Sequence, residues 1–136
     1  MSWDDLVGTQ WLEGGRTVEE GLDCYGVVLL GLERLGFPML DVWSSWKGHY
    51  ENGWREFDQA VPDGWAWHGV DEILVPLIGD VIVTRDRGVP KHLGLRVMDK
   101  HGRMKVLTAV EAWGVLLVGD SLGTRHLEGI VRRLDA

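Results

Sequence analysis

The sequence predicts an α+β domain in which N-terminal helices pack on an antiparallel β-sheet. Three observations predict it. A long apolar run, Cys24 to Leu35, comes early in the chain. The strong patterns after residue 72 are short and β-rich, as in "GDVIVTR", "HLGLRVMD", "KVLTAV" and "WGVLLVG". The connections between them, such as "DKHGR", have hairpin length. Helices first and strands afterwards differ from the alternation that a parallel βαβ sheet requires. A chain of 136 residues is long enough to bury a real core, so residues 1–136 are read as a single domain.

The elements follow in order. Ser2 before Trp3, Asp4 and Asp5 has the form of a helix N-cap with acids in the first turn, and Gly8, Gly14 and Gly15 keep that helix short. "RTVEEGLD" reads as a polar connector. From Cys24, the spacing of Val27, Val28, Leu30, Leu32 and Leu35 predicts a helix buried on most sides. Asp23 fits as its N-cap, Gly36 as its C′ glycine, and Pro38 prevents continuation. Residues from about 38 to 72 read as a Trp-rich irregular segment, with one helical piece around "GWREFDQAV". "GIVRRL" closes the chain as a last strand. Five of the eight tryptophans (Trp43, Trp46, Trp54, Trp65, Trp67) fall in the irregular segment. They either fill the core beneath it or form a docking face.

Composition limits the chemistry. There are 21 Asp and Glu against 14 Lys and Arg, a net charge of −7, so nucleic acid is not an expected partner. The single cysteine excludes an internal disulfide and a multi-cysteine zinc site, and the five histidines lack HExxH spacing. No metal or cofactor is expected. The acidic N-terminus has neither a basic n-region nor an apolar h-region, so neither a signal peptide nor membrane insertion is expected.

Cys24 is either a small buried hydrophobe or a nucleophile. A helix N-terminus favours thiolate, and its N–H groups can stabilise an oxyanion. Asp23 opposes thiolate by charge, so its value there lies in geometry. A nucleophilic thiol needs a base, and His92, at the start of a strand beside Gly94, is the best-placed candidate; it could equally be an ordinary strand histidine. His101 sits in a turn, and His49, His68 and His126 lie in loop-like contexts.

Taken in order, Asp23-Cys24-Tyr25-Gly26, Gly79-Asp80 and His92-Leu93-Gly94 resemble the pattern of the NlpC/p60-type cysteine peptidases, which share a papain-like core. The resemblance covers almost the whole chain and is closest to the compact forms carried by phage tails and related gene-transfer particles. It implies hydrolysis of an amide in the peptide stem of peptidoglycan. Cys24 would attack the carbonyl, and His92 would take the thiol proton and pass it to the leaving amine.

The family usually places a third polar residue, often histidine, on the next strand. Here that position is Thr108 in "KVLTAV", although Glu111 or a loop residue could orient the imidazole instead. Where the family often has a tyrosine near the oxyanion, this chain has Trp11, whose indole N–H is a donor. The implied location is the tail of a phage-like particle made in the host cytoplasm, with tail-tip or hub proteins as partners. Two other readings follow from the same residues: a structural tail-assembly subunit with a weak or inactive site, and a cytoplasmic amidase or acyl-transfer enzyme.

Overall fold

The protein is described here from a computed structural model, which covers residues 1–42, 61–72, 74–86 and 89–136. Trp43, Trp46, Trp54, His49 and the helical piece expected at "GWREFDQAV" lie outside the described residues, apart from Val61.

A buried helix, α1 (Cys24–Leu35), packs on one face of a six-stranded antiparallel sheet. The strands are β3 (Trp65–Gly69), β4 (Val81–Asp86), β5 (Val89–Met98), β6 (Met104–Val110), β7 (Gly114–Gly119) and β8 (Leu127–Arg133), in the order β3-β8-β4-β5-β6-β7. Before α1, β1 (Arg16–Thr17) and β2 (Gly21–Leu22) form a minimal hairpin. A four-residue helix, α2 (Asp120–Gly123), joins β7 to β8.

Helix α1 ends where its sequence predicts. Gly36 takes φ 85°, and its N–H bonds back to the Glu33 and Leu32 carbonyls. Side-chain alternation divides β5 between two environments. Leu93, Leu95 and Val97 are fully buried in the cluster that contains Val27, Val28 and Leu32 of α1. Ile82, Val106 and Ile130 form a smaller cluster apart from it. Gly94 belongs to that second side, because a Cβ there would run into the Val106 side chain. Its close neighbour is therefore the adjacent strand, not a helix.

Three expectations change. The Ser2 helix is a run of turns: Leu6 and Val7 donate to the Trp3 carbonyl, Thr9 to Leu6, and Gly8 turns the chain with φ 91°. Buried Trp3 and Leu6 hold it, and an Arg34–Asp5 pair at 2.8 Å ties it to the end of α1. "RTVEEGLD" is not only a connector, since it contains β1 and β2. Lastly, β3 lies inside the stretch read as irregular. It pairs with β8 from Trp65↔Arg133 to Gly69↔Gly129, and buried Trp65 anchors it.

A charged cluster locks the side of the sheet that does not carry α1. Asp80, just before β4, accepts from Arg96 on β5 at 3.1 Å and from Arg132 on β8 at 2.7 and 2.8 Å. Arg96 also reaches Asp120 at 2.9 Å. Asp80 and Arg96 are almost fully buried, so each charge depends on its partners.

Candidate active site

Asp23 shapes the start of α1. The residue is extended (φ −91°, ψ −178°), and its carboxylate is fully buried. One oxygen accepts from Gly26 N at 2.6 Å and the other from Gly14 N at 2.9 Å. Arg16 Nη1 lies 3.2 Å away and offsets the charge. Gly26 permits this arrangement, because any Cβ there would collide with the Gly15 carbonyl oxygen. The helix thus starts with its first turn capped and closely packed.

Cys24 is the first residue of α1, and it is 1% exposed. Burial pushes its pKa above the ordinary thiol value, and the Asp23 charge adds to the rise. Hydrogen bonds from the backbone of Leu93, Tyr25 and Cys24 oppose it less strongly. At neutral pH the resting species is therefore the thiol. This corrects the expectation of an activated thiolate: desolvation outweighs the helix end.

His92 and Thr108 come together. The Thr108 hydroxyl lies 2.7 Å from His92 Nε2 and donates to the Leu93 carbonyl at 2.6 Å. A hydroxyl has one proton. With that proton on Leu93, the oxygen accepts from the imidazole, which assigns the Nε2–H tautomer and leaves Nδ1 as the basic nitrogen. Leu93 thus connects the two halves of the site, because its side chain packs in the core that holds Cys24 while its carbonyl accepts from Thr108. Among the described residues, no hydrogen bond joins the thiol to the imidazole itself. The His92–Thr108 pair lines a cavity of about 540 Å³ with Gly94 and Val106, whereas Cys24 reaches β5 from the α1 side.

The remaining predicted residues have other roles. Trp11 bridges to Leu22, immediately before Asp23, and packs partly buried against the main core. Glu111 is exposed in the turn after β6, and the orienting contact to His92 comes from Thr108. Gly79-Asp80 serves the buried Arg96–Arg132 cluster. His101 is exposed in a turn. His68 lies on β3, not in a loop, and meets Glu72 Oε2 at 2.7 Å.

Sequence reasoning missed Arg125 and placed His126 in a loop-like context, where it lies; both are exposed in the α2–β8 connection and line the cavity. Only a basic pair in "GTRHLEG" hinted at them. Among the described residues, no group of three or more His, Cys, Asp or Glu could hold a metal ion, and no helix is long and apolar enough to cross a membrane.

No protein-family model matches the chain, and no curated protein matches it. The class defined by the structure is an α+β domain with a six-stranded antiparallel sheet.

Proposed function

We propose that the chain is a cysteine peptidase of the papain-like NlpC type, cutting an amide in the peptidoglycan stem and carried at the tail tip of a phage-like particle. The observation that supports this best is the Thr108 hydroxyl between His92 Nε2 and the Leu93 carbonyl, since it leaves Nδ1 as the base on β5, the strand whose Leu93 packs in the same core as Cys24. Because the thiol rests protonated on the α1 side of β5 and His92 lines the cavity on the other side, attack requires β5 and the start of α1 to bring the two groups together as the proton moves to His92. Sγ adds to the amide carbonyl, and the backbone N–H of Cys24 meets the developing oxyanion. His92 then protonates the departing amine, leaving a thioester on Cys24. Water, deprotonated by His92, attacks the thioester; a carboxylate leaves and the thiol regains its proton.

The burial of Cys24 favours a second reading, a structural tail subunit that keeps the site only as packing. Digestion of purified sacculi separates the two. The peptidase reading expects new free amino groups with the wild type and none with Cys24→Ala or His92→Ala. Absence of release by the wild type, with particles that still assemble around Cys24→Ala but fail without the chain, would favour the structural subunit.

A further inference from the structure

The cavity beside His92 has two chemically distinct parts. Val106, Val118 and Leu122 give it an apolar wall, and Arg85, Arg125 and His126 give it a basic mouth. Arg85 is already engaged by Glu128 at 2.8 Å. Arg125 makes no ion pair among the described residues, so its guanidinium is available at the cavity in a chain of net charge −7. Its position is held from both sides. Arg125 N donates to the Leu122 carbonyl at 3.2 Å, and the His126 carbonyl accepts from Arg85 N at 3.0 Å. His126 has φ 59°, and no other described non-glycine residue has positive φ. A residue kept in that region marks a backbone imposed by its surroundings.

We infer that this cavity is a subsite for a free carboxylate of the substrate, paired by Arg125, with the aliphatic group beside it against Val106, Val118 and Leu122. The inference rests on the peptidase reading for which bond is cut, since His92 lines the same cavity. The guanidinium fork matches a carboxylate. One available cation balances one carboxylate, and the apolar wall suits an amino-acid side chain better than a hydrated phosphate dianion.

The test is binding, not turnover. N-acetyl-alanyl-alanine and its C-terminal amide are titrated at pH 7 into Cys24→Ser protein, with the His92 and His126 ring resonances as readout. The acid is expected to bind at least tenfold more tightly than the amide and to shift both rings. Arg125→Ala should erase the preference with its thermal midpoint unchanged, and Arg125→Lys should keep part of it. Equal binding of acid and amide, no saturable shift with either, or a preference that survives Arg125→Ala would overturn the subsite. Inorganic phosphate competing as well as the acid would also overturn it, in favour of a general anion site. Preference without sacculus digestion would sink the peptidase reading alone, and digestion without preference would sink the subsite alone.

Discussion

The Thr108 hydroxyl sits 2.7 Å from His92 Nε2 while its own proton goes to the Leu93 carbonyl at 2.6 Å. Threonine thereby supplies the orienting acceptor that the family resemblance leads one to expect from histidine, without its charge. Its hold on the ring is geometric, through the tautomer.

Replacing Thr108 by valine keeps the shape and removes the acceptor. Turnover should fall about 10–100-fold, the size of effect seen when a histidine loses its outer partner at metal sites. Thr108→Ser should retain most activity. Imidazole ¹⁵N shifts check the cause: the Nε2–H preference should weaken in the valine variant and persist in the serine variant.

The buried thiol predicts a pH dependence of stability. The folded pKa of Cys24 lies above its unfolded value, so above about pH 8.5 the unfolded chain loses a proton that the folded chain keeps. Stability should then fall with pH by up to about 1.4 kcal/mol per unit from this one group. Urea midpoints measured from pH 7 to 10 should show this slope in the wild type and a shallower one in Cys24→Ala.

Asp23 acts on the same thiol in two ways. Its charge raises the thiol pKa, so Asp23→Asn should shift the midpoint of Cys24 alkylation downward in pH while leaving an oxygen to accept from Gly26 N. Asp23→Ala removes the cap altogether and should cost about 1–2 kcal/mol or more, because Gly14 N and Arg16 also lose a partner.

Asp80 provides a control away from the thiol. Asp80→Ala leaves Arg96 and Arg132 without their buried partner and should destabilise the fold by about 3–5 kcal/mol in chemical denaturation. The loss should be far smaller for Asp99→Ala, whose carboxylate serves the exposed β5–β6 turn.

Much of this structure is legible locally. Asp23, Gly36 and Pro38 mark the ends of α1, and short β-rich runs, alternating in β5, mark β4 to β8. The Trp65–Gly69 strand is not legible, because Gly64 and Pro62 next to it imitate loop chemistry and its pairing partners are 60 to 68 residues away. In the site, His92 and Thr108 could be given their roles only through the family resemblance, and those two side chains meet, while Cys24 lies on the α1 side of β5. The state of the thiol was not legible, because burial depends on packing between α1 and β5 and here outweighs the helix end that the sequence displays. Arg125 was missed for the same reason: only the return of β8 beside β4 brings it to the cavity.

Trapping the acyl-enzyme tests the central claim most directly. Wild-type protein is mixed with a stem peptide, quenched in acid within the first turnover, and analysed by intact and peptide mass spectrometry. The account predicts an added acyl mass on the peptide containing Cys24, absent in Cys24→Ala and His92→Ala. Cleavage without any adduct on Cys24, or an adduct that forms equally well in His92→Ala, would contradict it.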